Sequence, residues 1–190
     1  QRAGYGTAEV ALFMSLVLLG GALLQWPVGH LSDRWYGRTV ILAVSLAGAA
    51  TAALARGLLA DEPGATLGAM FLYGGAAFAL YPLCVSHAND FAPADAFVST
   101  ASGLLLVYGV GATLGPLAAG AAMQWLGPAA FLSFLIATHL LLALFILVRM
   151  RVRSAPPPEQ QEPFVVLVRT SPSALEMLAP EGEAEKTDPS

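Results

Sequence analysis

Apolar residues gather in five long stretches, approximately Val10–Leu31, Val40–Leu59, Ala65–Val85, Ser99–Met123 and Pro128–Val148. Each is close to the roughly 20 residues that a helix needs to cross a bilayer. Within each stretch the apolar positions run right round the helix, with no polar stripe wide enough for a soluble bundle. Arg56 is the one charge inside them, and it sits near an end where its stem can snorkel to the interface. The breaks carry turn chemistry: Asp61-Glu62-Pro63-Gly64, Ala92-Pro93-Ala94-Asp95 and Gly127-Pro128. Trp26, Trp35 and Trp125 fall toward segment ends, where interfacial aromatics concentrate. The pattern predicts an all-α polytopic membrane helix bundle of five transmembrane helices.

Past Arg153 the pattern changes. Residues 154–190 are rich in Pro and Glu, which predicts a disordered tail behind a helical domain of residues 1–153. Phe164–Val168 is a short apolar island within that tail, which either docks on the membrane domain or stays solvated.

Composition sharpens this picture. The chain is 56% hydrophobic and 12% charged, against about 25% charged for an ordinary soluble domain. Residues 1–153 carry a net charge of +1 and the tail −5, so the overall −4 belongs to the tail. No basic patch with interleaved aromatics exists, which leaves nucleic-acid binding without support. A lone cysteine, Cys84, excludes an internal disulfide framework, and no metal or cofactor constellation stands out. The chain has no H-E-x-x-H, no G-x-S-x-G and no phosphate loop, so no catalytic residues and no enzyme are expected.

Arg34, Arg38, Arg149, Arg151 and Arg153 fall on one side of such a bundle, with Arg2 and Arg56 on the other. The positive-inside bias then places the first loop and the C-terminus in the cytoplasm. The first residue is Gln1, and no basic n-region precedes the first apolar run. The expectation is a piece of a longer chain, its missing part upstream.

Between the first two segments stands Gly29-His30-Leu31-Ser32-Asp33-Arg34-Trp35-Tyr36-Gly37-Arg38. This run resembles the signature loop of the major facilitator superfamily, G-x-L-a-D-r-x-G-r. Gly29, Leu31, Asp33 and Arg34 match in register. Gly37-Arg38 arrives one residue late, so Gly37 falls off the family's turn-glycine position while Arg38 still supplies a second cation. Four apolar segments follow the helix that leads into this loop, which in that family corresponds to helices eight to twelve of the C-terminal half. Gly109-Val-Gly111-Ala-Thr-Leu-Gly115-Pro116-Leu-Ala-Ala-Gly120 is similar to the G-x-x-x-G-P-x-x-x-G pattern of the family's fifth and eleventh helices, where small residues let backbones approach. Tyr81-Pro82-Leu83-Cys84-Val85-Ser86-His87-Ala88-Asn89-Asp90 and Gln25-Trp26-Pro27 resemble its uncharacterised bacterial YcaD-like branch.

The resemblance implies a fragment of a secondary active transporter of the bacterial inner membrane. It would move a small-molecule substrate by alternating access, coupled to protons or as a facilitator. Its partners would be the lipid bilayer and the missing N-terminal helices of the same polypeptide. Gly29, Asp33, Arg34, Arg38 and Asp90 are the implied signature-loop and gate residues, with an Asp90–arginine contact expected. Gln25, Tyr73 and Tyr108 are the implied substrate contacts, Tyr73 and Tyr108 at mid-depth with Gly20-Gly21, Gly74-Gly75 and Thr113, and Gln25 a turn deeper toward the cytoplasm. The alternative is a free-standing small polytopic membrane protein with an assembly or interaction role.

Three polar groups keep two readings each. His87, Asn89 and Asp90 form a metal or proton site, or cap a helix and pair with Arg34 or Arg38. His139 near mid-membrane is a proton relay, or a neutral imidazole bonded to a neighbouring helix. Glu9 couples protons, or caps the first helix.

Overall fold

A computed structural model describes residues 6–58, 62–93 and 96–152. The tail expected over 154–190, with its Phe164–Val168 island, lies outside the described residues. Five helices account for nearly everything else: α1 Thr7–Ser32, α2 Gly37–Leu58, α3 Pro63–Asn89, α4 Phe97–Leu126 and α5 Ala130–Val152. All five are long and apolar enough to cross a membrane. At 22 to 30 residues and about 1.5 Å per residue, each exceeds the roughly 30 Å hydrocarbon core.

The helices run past their apolar windows because helix ends follow backbone capping rather than hydropathy. The Gly6 amide donates to Glu9 Oε2 at 2.8 Å, so Glu9 satisfies a free N–H group at the start of α1. Pro63 opens α3, where its missing N–H is no loss. Gly127 closes α4 at φ 86°, its N–H donating to the Met123 carbonyl at 3.1 Å. That left-handed cap, with Pro128 next, is why α5 begins at Ala130. α3 gains a further turn through Ser86, His87, Ala88 and Asn89, which carries polar side chains to its end. Hydroxyls inside the spans are satisfied locally: Ser45 donates to the Ile41 carbonyl at 2.7 Å and Thr113 to Gly109 at 2.9 Å.

α3 is the hub. It packs against α1 on one side and α2 on the other, and α2 in turn packs on α5. One core cluster joins Val40, Ile41 and Val44 of α2 with Ala76, Ala79 and Leu83 of α3 and Ile146 of α5. A second joins Ala52 and Ala55, Met70 and Tyr73, and Leu132. α4 touches only α5 and α3, and makes no contact with α1 among the described residues.

The α1–α3 crossing is built from glycine. A Cβ on Gly20 would overlap the Phe71 carbonyl, and one on Gly74 would overlap the Val17 carbonyl. Gly21 lies under the Phe78 ring and Gly75 under Leu24. These four glycines, expected at mid-depth on a cavity wall, are instead buried where two backbones meet. Without a hydrophobic drive between helices in lipid, such close backbone packing is what holds them together.

Burial is uneven. The spans of α2 and α3 are 44% and 50% buried, those of α1 and α4 only 11% and 6%. Prolines sit inside α1, α3 and α4 (Pro27, Pro82 and Pro116), and α2 and α5 have none. Each such proline removes one hydrogen bond from its helix.

Candidate functional site

The α1–α2 loop and the end of α3 meet at one end of the bundle. α1 ends as the Asp33 amide donates to the Gly29 carbonyl at 3.1 Å; the chain turns through Arg34, Trp35 and Tyr36, and α2 starts at Gly37. Gly29 is buried, whereas Asp33 and Arg34 are exposed. Arg38, one residue into α2, turns inward and is only 9% exposed. Its guanidinium lies over the Phe91 ring, 5.2 Å from the centroid. The other neighbour of that ring is the His87 imidazole, edge-on at 5.1 Å.

Asp90 closes the cluster. Its side chain is 6% exposed and stands 3.7 Å from His87 Nδ1, turned away from bulk solvent. A Cβ on Gly37 would sit 3.6 Å from His87 Nδ1 and 4.0 Å from Asp90 Oδ2. The carboxylate therefore lies beside the first turn of α2, where free backbone N–H groups and the helix dipole favour an anion. Arg38 and Asp90 both act on His87 across this small space. A cation, a carboxylate, an imidazole and an aromatic face thus tie the start of α2 to the end of α3. Such a cluster can hold two helix ends together and let go when its charges are re-paired.

Phe91 was not among the residues expected here. An aromatic in a polar loop, directly after the acid and on the same face of the bundle as two arginines, was the available signal. No group of three or more His, Cys, Asp or Glu side chains that could hold a metal ion occurs among the described residues.

The three residues expected at substrate lie on three different helices, α3, α4 and α1. Tyr73 is 8% exposed in the core, its ring edge-on to His139 of α5 at 5.3 Å. Tyr108 of α4 packs on Tyr81 of α3 with ring centroids 4.9 Å apart. Gln25 is half-buried on α1, a helix that does not touch α4.

The α4 face opposite these contacts is bare. Ser102, Gly109, Thr113, Gly120 and Gln124 recur at spacings of seven and four, so they share one line along the helix, and all are exposed. Gly109, Gly111, Gly115 and Gly120 would each accept a Cβ with nothing within 4 Å. The exposed face of α5 is built differently, from Leu140, Leu141, Leu144, Phe145 and Val148.

The sequence profile of the Major Facilitator Superfamily matches residues 2–180. The chain belongs to this superfamily. It is 33% identical over 122 residues to an uncharacterized MFS-type transporter of Yersinia enterocolitica, covering 64% of this chain and 30% of that protein. It is 32% identical over 113 residues to the uncharacterized MFS-type transporter YcaD of Salmonella arizonae, covering 60% of this chain and 28% of that one. The chain thus spans under a third of the length of these relatives. No solved structure matches it. Membership explains why a loop with Gly29, Asp33 and Arg34 meets the end of α3, and why five spans follow one another with short turns.

Proposed function

We propose that this chain is the C-terminal part, helices eight to twelve, of a secondary active transporter that moves a small solute by alternating access. The observation that carries this reading is the contrast between two exposed surfaces. On α5 the outer face is mostly large and apolar, from Leu140, Leu141, Leu144, Phe145 and Val148, with Thr138 a lone hydroxyl bonded back to its own helix. On α4 one line of the exposed surface is Ser102, Gly109, Thr113, Gly120 and Gln124 at helical repeat, with Leu105, Leu106, Val110 and Leu117 exposed beside it. A face of small and polar residues suits another helix or a water-filled path better than acyl chains. α1, which also buries little within this chain, and α4 then flank α3 and look toward the remaining helices of the same polypeptide.

In this reading the Arg38–Phe91–His87–Asp90 cluster lies at the cytoplasmic surface and is the inner gate, with Asp33 and Arg34 meeting the other half of the protein. The C-terminus is cytoplasmic, the membrane is the bacterial inner membrane, and the protein performs no covalent chemistry. Family membership and the cluster's two-helix geometry support the gate role. No charged side chain lies on that line of α4, which suits an uncharged or amphipathic solute.

A photo-crosslinking pair tests the surface assignment in the full-length protein. A benzophenone amino acid replacing Thr113 on α4 is expected to capture another segment of the same polypeptide. The same probe replacing Leu141, 66% exposed on α5, is expected to capture lipid. Lipid capture at both positions would support a free-standing five-helix bundle instead.

A further inference from the structure

Among the described residues, His139 is the buried ionisable side chain that neither the fold nor the gate uses. It lies on α5 at 6% exposure, between α2 and α3. Its Nδ1 is 2.9 Å from the Leu135 carbonyl of its own helix. A carbonyl only accepts, so Nδ1 carries the hydrogen and Nε2 is left with a bare lone pair. That lone pair has no hydrogen-bond partner and no solvent contact among the described residues. The neighbouring-helix bond expected for this imidazole is absent; Tyr73 meets it ring to ring, at an interplanar angle of 64°.

Instead the ring is pressed against α2 at Gly48. A Cβ there would stand 2.6 Å from Nε2 and would overlap Cδ2, so only glycine admits the imidazole. A buried acceptor left unmade is destabilising. An intramembrane ionisable group retained at such a cost points to something it binds.

We propose that His139 Nε2 is a proton-binding site whose occupancy is tied to separation of α2 from α5. While the two helices are closed on Gly48, an added Nε2–H would have no acceptor. Nor is there a counter-charge: α2 presents Gly48, with Arg56 about two turns along; α3 presents Tyr73; and α5 carries no other ionisable group between Ala130 and Leu147. When the helices part, water reaches Nε2, one proton passes from water to the lone pair, and the imidazolium is hydrated. The N–H bond is the only bond formed, and the same proton returns to water on closing. Because the proton binds the parted form alone, falling pH favours parting and rising pH favours closure, by reciprocity of linked equilibria. The site stands on the α2–α5 geometry, and does not depend on what the protein carries.

A solvent-reached imidazole takes up its proton near pH 6.5. The parted population then grows about tenfold between about pH 7.5 and pH 5.5. Ala52, 0% exposed and one turn from Gly48 on α2, reports it: Ala52→Cys, in the full-length protein with other cysteines replaced, is alkylated by a maleimide. The ratio of this rate in the parent to the rate in a His139→Gln version cancels the thiol's own pH dependence. The ratio is expected to rise about tenfold over that interval; a flat ratio overturns the proposal. Ring-nitrogen NMR on protein labelled at histidine, with His139 unaltered, gives a second reading that survives if the variant misfolds. A bare Nε2 at pH 7.5 that gains a proton by pH 5.5 supports the site. A proton already on Nε2 at pH 7.5, or none at pH 5.5, sinks it.

Discussion

Replacing Gly74 by alanine puts the α1–α3 crossing directly under load. The new Cβ would stand 2.8 Å from the Val17 carbonyl carbon and closer still to its oxygen. Carbon pairs settle at about 3.5–4.0 Å, so the two backbones must part by roughly 1 Å. No rotamer change relieves this, because the obstacle is main chain. Parting also lifts Gly20 off Phe71, Gly21 off Phe78 and Leu24 off Gly75, all within two turns. Overpacking of this kind costs about 1–3 kcal/mol, and contact with rigid backbone places it at the upper end. Alanine also gains about 1 kcal/mol of helix propensity over glycine. Gly68→Ala removes that gain from the comparison: it lies on the same helix, exposed, with nothing within 4 Å of a new Cβ. Equilibrium unfolding of the full-length protein in mixed micelles, read by tryptophan fluorescence, should place Gly74→Ala about 2–3 kcal/mol below Gly68→Ala. If the two variants unfold within about 0.5 kcal/mol of each other, the glycine crossing does not hold these helices.

Phe91→Leu keeps an apolar side chain but removes the ring beneath Arg38. With Arg38 9% and Phe91 43% exposed, the loss should fall between the exposed and desolvated values, at about 1 kcal/mol, and Phe91→Tyr should restore most of it in the same unfolding assay. Gly48→Ala drives a methyl into the His139 ring and should cost about 2 kcal/mol; in a double-mutant cycle with His139→Ala that penalty should largely vanish. Glu9→Gln weakens only an exposed helix cap, so its effect should stay within about 1 kcal/mol, with gate accessibility to thiol reagents unchanged.

Much of this architecture was legible in the chain. Five apolar stretches of bilayer length announce five spans, because backbone groups in lipid leave helices as the simplest solution. Gly29, Asp33, Arg34 and Arg38 named the loop, since a tight reversal flanked by cations leaves a compact signature. What stayed hidden are the facts that depend on which helix lies beside which. Gly20 and Gly74 looked like breaks lining a path, but each is small because a carbonyl of the partner helix occupies the space. The packing of Tyr73 on His139 of α5 was hidden too, because the two rings meet only through the fold. Gly48 and His139 are 91 positions apart, and no local pattern joins them. The same holds for Arg38 over Phe91, where a loop residue completes what the motif began.

The central claim is that α4 shows its bare face to a path opened alternately from either side of the membrane. Ser102 and Gly120 lie on one line of that face, eighteen residues or five turns apart, about 27 Å along the helix. Single cysteines at these two positions of the full-length protein, labelled by a membrane-impermeant maleimide from each side, read the path directly. Breaking the gate with Arg38→Ala should raise labelling at Ser102→Cys from the cytoplasmic side and lower labelling at Gly120→Cys from the external side. Labelling that changes in the same direction at both positions, or at neither, would contradict alternating access.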